Sequence, residues 1–342
     1  MANLGITRVI TRAGIQLKTF NFRFGNIFIM KKISLVILIL LLIVVPCVYI
    51  FIPGQIRIST ISPARCIPKN ITESLHDPVN ISRWWREQPL RNTDSFFSYK
   101  GYGYKLTELF TDGAAIQIST GGKMISTRMM IIQAGKDSST VEWQASITPG
   151  LNPFKRVQHY FEAGKLKKNM QEVLASLLHF ATISENIYGF HIERTTFTDT
   201  ILFATRFSSN TIPSVESIYG HIDELKKKIK DAGAVEKDYP MLHVNQLDST
   251  NYETMIAICV NKEIEASGNF FVSRMVPMKD RFLKTVVTGG ESTIQKAHHA
   301  IHDYMEDHFL SAPAIPFEIL MTDRSKEKDT TKWNTIIFYP SM

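Results

Sequence analysis

The chain has 342 residues, too many for one small module and enough for about two domains at roughly 100–200 residues each. A hydrophobic fraction of 44% and a charged fraction of 21% exclude wholesale disorder, and three cysteines without a CxxC pair exclude a disulfide scaffold. The net charge of +7 would suit an anionic partner if it were spread evenly, but it is not.

Residues 1–29 carry Arg8, Arg12, Lys18 and Arg23 and no acid, and Lys31 and Lys32 follow. From Gly54 onward 33 basic residues face 32 acidic ones. The charge therefore marks the N-terminus, and no nucleic-acid partner is expected. Residues 33–52, ISLVILILLLIVVPCVYIFI, contain no charge. At about 1.5 Å per residue they are long enough to cross a hydrocarbon core of roughly 30 Å. A cleavable signal peptide is the competing reading, but no small-x-small site follows the apolar run. Val44-Val45-Pro46-Cys47 is a poor lipoprotein box because of its proline. The positive-inside rule places residues 1–32 in the cytoplasm and residues 54–342 in the periplasm or outside the cell. Met30-Lys31-Lys32 is itself a sufficient start for an anchored protein, so residues 1–29 are read as a misassigned start or a short tail.

After Pro53-Gly54 the apolar alternation of residues 56–62 predicts a strand, and a short helical stretch leads to Trp84-Trp85. Further strands are expected over 95–104, 105–110, 114–120, 123–134 and 140–148, separated by Gly-rich or polar breaks. A helix is expected over 157–182, with Met170, Val173, Leu174, Leu177, Leu178 and Ala181 on one apolar face. A long helix across a curved sheet leaves a cavity unless large side chains fill it.

This order, with Ser82-Arg83-Trp84-Trp85, Thr140-Val141-Glu142-Trp143 and Asn152-Pro153-Phe154-Lys155-Arg156, resembles the START-like or polyketide-cyclase superfamily across residues 55–183. The resemblance implies a cavity for a lipid or another apolar ligand, and no common catalytic residue. Trp84 and Trp143 are candidate ligand contacts, although indoles in such places more often belong to the core.

Residues 187–342 contain an internal repeat. A strand over 190–207 precedes a helix over 215–230 and strands over 239–247 and 252–260. The pattern recurs as a strand over 270–287, a helix over 292–306 and strands over 317–322 and 333–339. Two such units are expected to form one sheet with both helices on one face, leaving the opposite, concave face for a ligand.

The repeat, with Val286-Val287-Thr288-Gly289-Gly290, Pro316-Phe317-Glu318 and Lys332-Trp333-Asn334, resembles the GyrI-like effector-binding family. The resemblance implies that Glu318 lies in a ligand pocket. Glu291-Ser292 stands where the family commonly has an aromatic. The fold class expected is thus α+β: a membrane helix, a START-like helix-grip domain and a GyrI-like domain of two repeats.

Glu318 beside apolar neighbours is expected to be partly desolvated, with its pKa pushed up. It would then bind a cation or act as a general base, with Trp333 or Tyr339 nearby; a wet strand edge is the bland alternative. His298 and His302 have the i, i+4 spacing of a metal pair, yet with His299 and Glu306 they read as a solvated helix face, so no metal is expected. The 226–230 lysine run is flanked by Asp223, Glu224 and Asp231 and also reads as solvated. No cofactor motif is present.

The function expected is membrane-anchored binding of a small, partly apolar or amphipathic ligand for sensing, sequestration or transfer. Glu318, Trp333, Tyr339, Trp84 and Trp143 are the candidate ligand contacts. The alternative is a hydrolase or cyclase with Glu318 as general base.

Overall fold

The computed structural model describes residues 18–342 except 77, 86, 88–96, 199 and 276, with backbone alone for 18–31, 78 and 278. Residues 1–17 of the expected tail or misassigned start, and the beginning of the strand expected from 95, lie outside the described residues. The first elements are helix α1 (Lys18–Phe51), strand β1 (Ile56–Ala64) and helices α2 (Pro68–Leu75) and α3 (Pro78–Trp84). Next come β2 (Phe97–Tyr99), β3 (Tyr102–Phe110), β4 (Gly113–Thr120), β5 (Lys123–Gly135) and β6 (Ser138–Ile147), then the long helix α4 (Pro153–Ala181). The short α5 (Ser184–Tyr188) leads to β7 (Glu193–Phe197), β8 (Thr200–Ser209), α6 (Val215–Asp231), β9 (Met241–Gln246) and β10 (Tyr252–Val260). Finally come β11 (Phe270–Met275), β12 (Met278–Thr288), α7 (Glu291–Asp307), β13 (Phe317–Leu320) and β14 (Asn334–Pro340).

The chain divides into two compact units, residues 1–59 with 144–169 and residues 60–143 with 170–342. The first unit is dominated by α1, of which residues 32–51 are long and apolar enough to cross a membrane. A signal sequence near an N-terminus meets the same test of length and composition. The exit from α1 is pinned by side chains of the same unit. Arg156 Nε donates to the Ile52 carbonyl at 2.9 Å, satisfying one of the acceptors a helix end leaves open. Its guanidinium lies 4.7 Å from the centre of the Tyr49 ring, and the Tyr49 hydroxyl donates to the Leu151 carbonyl. Asn152 Oδ1 accepts from the backbone N–H of Phe154 and Lys155 at 3.0 and 3.2 Å, and so caps α4, whose first residue is Pro153.

The first sheet has the order β1-β6-β5-β4-β3-β2, with β2 to β5, all of the second unit, an antiparallel meander. Gly121 and Gly122 both take positive φ in the two-residue turn between β4 and β5, the handedness that matches strand twist. Lys100 and Gly101 do the same between β2 and β3. This turn interrupts the strand expected over 95–104, because a lysine gives no turn signal. The predicted apolar face of α4 is buried in this unit: Met170, Val173, Leu174, Leu177, Leu178 and Ala181 are all out of solvent.

The second sheet has eight strands in the order β11-β8-β10-β9-β13-β14-β12-β7. Two triplets, β8-β10-β9 and β12-β14-β13, meet where Glu318 pairs with Leu242 and Ile319 with Met241. Each strand expected to lead a repeat is in fact two. Residues 190–207 give β7 and β8, and residues 270–287 give β11 and β12, with Pro277 following the break in the second. The fragments cross over: β7 pairs with β12 of the other repeat, and β11 pairs with β8. Each repeat therefore supplies an edge strand to its counterpart.

Both helices lie on one face, as the repeat predicts. Ile218, Ile222, Leu225 and Ile229 of α6 pack with Leu242, Ile256, Ile258 and Leu320. Ile294, Ala297 and Ile301 of α7 pack with Leu283, Val287 and Ile337. Ser214 starts α6 by accepting from the Ser217 N–H at 3.2 Å.

Candidate functional site

Strand alternation decides where Glu318 points. On β13, Phe317 and Ile319 join Leu202, Met241, Phe282 and Phe338 on the face away from the helices. Glu318 and Leu320 therefore turn toward α6 and α7. The sequence places Glu318 on the open concave face; the structure places it on the helix-covered face, in a cleft of about 420 Å³. Its lining includes the apolar Ile212, Pro213 and Ile218 and the polar Gln295, His298, Arg324 and Tyr339. The concave face has its own cavity of about 300 Å³, lined mainly by apolar side chains including Leu202, Met255 and Phe282. The expected ligand face and the expected ligand residue are thus on opposite sides of one sheet.

Glu318 is held from two directions. Arg324 Nη2 donates to Oε2 at 3.1 Å and to Thr335 Oγ1 at 2.8 Å. His298 Nε2 lies 3.3 Å from Oε1, and His298 Nδ1 lies 2.9 Å from the Tyr339 hydroxyl. In a neutral imidazole, donation from Nε2 to the carboxylate leaves Nδ1 to accept the phenolic proton. The result is a continuous string, Tyr339 to His298 to Glu318.

Burial alone would raise the Glu318 pKa, as the sequence reading expects. The His298 hydrogen bond and the Arg324 charge reverse that, and the carboxyl sits below its ordinary value. Burial, with the Glu318 charge nearby, pushes the Tyr339 phenol up to about 12. His243, at the cleft edge, is lowered by desolvation. The site at neutral pH thus holds an ionised carboxylate, a guanidinium and a protonated phenol.

Arg324 is the residue that sequence reasoning missed; an arginine in a loop between strands carries no periodic or motif signal. Its guanidinium lies 4.9 Å from the centre of the Trp333 ring, and its backbone N–H donates to the Tyr219 hydroxyl at 2.8 Å. Trp333 therefore supports Arg324, while its own indole N–H donates to the Glu327 carbonyl at 3.0 Å. His298 is half-buried in the cleft, contrary to the solvated-face expectation, whereas His299 and His302 are exposed. The i, i+4 spacing of His298 and His302 spreads the pair between cleft and solvent. His302, Asp303 and Glu306 cluster on the exposed side of α7, an arrangement common without a metal.

Trp84, at the end of α3, and Trp143, on β6, lie elsewhere. Trp84 donates to the Ser74 carbonyl at 2.9 Å, and Trp143 to Thr127 Oγ1 at 2.8 Å. With Trp85, Phe97, Tyr104 and Val173 they surround a cavity of only about 30 Å³, which accommodates little more than one water. Large side chains fill the space under α4 that the sequence reading offers to an apolar ligand. Among the described residues this region is a packed core.

No protein-family model matches the chain, and no curated protein matches it by sequence. Solved structures resemble parts of it. The C-terminal domain of EcmrR is 15% identical over 45% of this chain and 98% of its own, with a TM-score of 0.39. EcmrR in a DNA complex is 17% identical over 55% of this chain and 71% of its own, with a TM-score of 0.41. The Zhui aromatase/cyclase from Streptomyces sp. R1128 is 10% identical over 37% of this chain and 93% of its own, with a TM-score of 0.26.

Proposed function

We propose that this chain is a membrane-anchored small-molecule binder whose ligand sits in the cleft between α6 and α7. We assign residues 33–52 to the anchor, with the N-terminus cytoplasmic, and residues 55–183 and 187–342 to two domains on the far side. The observation that carries the reading is a cleft of about 420 Å³ lined both by Glu318, His298 and Tyr339 and by Ile212, Pro213 and Ile218. A cleft of this size takes a small molecule, and its mixed lining suits one with both polar and apolar groups. Arg324 neutralises most of the Glu318 charge, so the ligand need not be a strong cation. Sensing, sequestration and transfer all begin with this binding step.

Native mass spectrometry of the full chain in detergent tests the proposal. A small molecule carried by the wild type and lost from Glu318→Gln is the expected result. A molecule retained by Glu318→Gln moves the site elsewhere, and an empty wild type counts against binding. DNA is not among the proposed partners, since the chain is near neutral beyond Gly54. A shift of labelled duplex by the full chain would show otherwise.

The Tyr339–His298–Glu318 string supports a second reading, hydrolysis or cyclisation of a small molecule. Glu318, with its depressed pKa, is a weak base. The nitrogen able to take a proton from a hydroxyl beside it is His298 Nδ1, with Tyr339 as the group it would activate. Glu318→Gln then retains affinity and loses turnover.

A further inference from the structure

The exit of α1 is continuous with an exposed aromatic ridge. Leu151, whose carbonyl accepts from Tyr49, is 86% exposed, and Phe154, at the start of α4, is 77% exposed. Phe161, two turns further along α4, is also exposed. The helical repeat puts Phe154, Phe161, Lys165 and Lys168 on one stripe, spaced seven, four and three residues apart. Arg156, Ala163 and Leu166 are buried on the other side of the same helix. Seven residues of helix span roughly 10 Å, so the stripe changes from aromatic to basic with distance from the end of α1.

Exposed singly, such side chains would mean little. Their position is what decides. Arg156 ties α4 to the last turn of α1 through the Ile52 carbonyl, and the neighbouring Ile50 and Phe51 are also exposed. If α1 spans a bilayer, this end emerges at the lipid surface, and Leu151 and Phe154 emerge with it. An aromatic edge followed by lysines matches the gradient from acyl chains to phosphates. Lysine stems can lie along the apolar boundary while their amines reach the headgroups.

We infer that Leu151, Phe154 and Phe161 lie in the lipid interface beside α1, so that α4 rests on the bilayer and the chain has a second membrane contact besides its anchor. The inference rests on the anchor reading. The occupant is the lipid surface itself, and it fixes α4 relative to the membrane.

The test uses the full chain in bilayer discs, with tryptophan introduced singly as Leu151→Trp, Phe154→Trp or Leu42→Trp, and acyl chains brominated near the headgroup for the first two and near the chain ends for the third. Leu42 lies within the apolar span, 68% exposed, and reports on the anchor alone. After subtraction of the wild-type emission, all three added indoles are expected to lose most of their fluorescence to the bromines. Quenching at 42 but not at 151 and 154 overturns the inference and leaves the anchor standing. No quenching at 42 removes both. Indoles at 151 and 154 that escape the bromines yet are shielded from iodide also overturn it, because a protein would then cover the ridge.

Discussion

Arg324 and Glu318 form an ion pair at 3.1 Å with side chains only 6% and 14% exposed, on the helix-covered face of the eight-stranded sheet. A carboxylate and a guanidinium so far from water are tolerable only together. Thr335 takes another donor of the guanidinium, and the Trp333 ring covers its face. The pair accordingly sets the shape and the charge of the cleft floor.

Removing one partner should cost far more than removing both. Arg324→Met strands the Glu318 carboxylate and is expected to lower the unfolding free energy by about 3–5 kcal/mol. The double variant Arg324→Met with Glu318→Gln should lose clearly less than the two single losses added together. Urea titration of the full chain in detergent, followed by tryptophan emission, gives the coupling; strictly additive losses would show that the ion pair contributes nothing.

The depressed Glu318 pKa predicts an acid-labile sheet. The folded-state value lies below the unfolded one, so this group stabilises the fold above its unfolded pKa. That contribution disappears as the pH falls through the folded value. Thermal midpoints measured from neutral pH down into the acid range should therefore drop below the ordinary glutamate pKa. Glu318→Gln should flatten the drop, and an unchanged profile would place the acid sensitivity in other carboxylates.

Much of the architecture is legible because it depends on periodicity. The apolar spacing in α4 names the face that is in fact buried, and the repeat places both α6 and α7 on one side of a sheet. What the sequence hides is set by pairing at long range. A strand that breaks at Thr198 and crosses to the other repeat looks continuous, since no local preference records which neighbour each piece finds. Glu318 is legible as a candidate site residue through resemblance, but its face depends on the register between β13 and β9. Arg324 and Trp333 acquire their roles only when a loop folds back on the sheet. Trp84 and Trp143 show the reverse error, because an indole that fills a core and one that lines a pocket have the same sequence signature.

Trp143 makes that distinction measurable. Its side chain is essentially fully buried and closes the space under α4, so Trp143→Ala should cost about 3–5 kcal/mol. Thr127 keeps its hydrogen bond to the Ile116 carbonyl, so loss of volume dominates. The new void should accept a planar apolar molecule, and indole should raise the melting temperature of the variant but not of the wild type. An indole shift of equal size in both would mean that the wild type already holds a ligand cavity there.

Gly289 governs how α7 enters the cleft. Its φ of +144° is one that other residues rarely adopt, and its N–H donates to the Trp333 carbonyl at 2.8 Å. A Cβ at this position would lie 2.8 Å from Thr293 Oγ1 and 2.9 Å from Thr293 Cβ, in the first turn of α7. Gly289→Ala therefore faces both a torsional and a steric cost, expected to total about 1–3 kcal/mol. Relief of the steric part requires α7 to shift, and α7 carries His298 against Glu318 and Tyr339. The variant should thus lose stability and also weaken the His298 contacts, seen as a displaced imidazole resonance in the full chain. Adding Thr293→Gly, compared with Thr293→Gly alone, removes the clash without changing the backbone angle. Partial recovery of the melting temperature would separate the two costs; full recovery would show that the unusual φ is not a constraint at all.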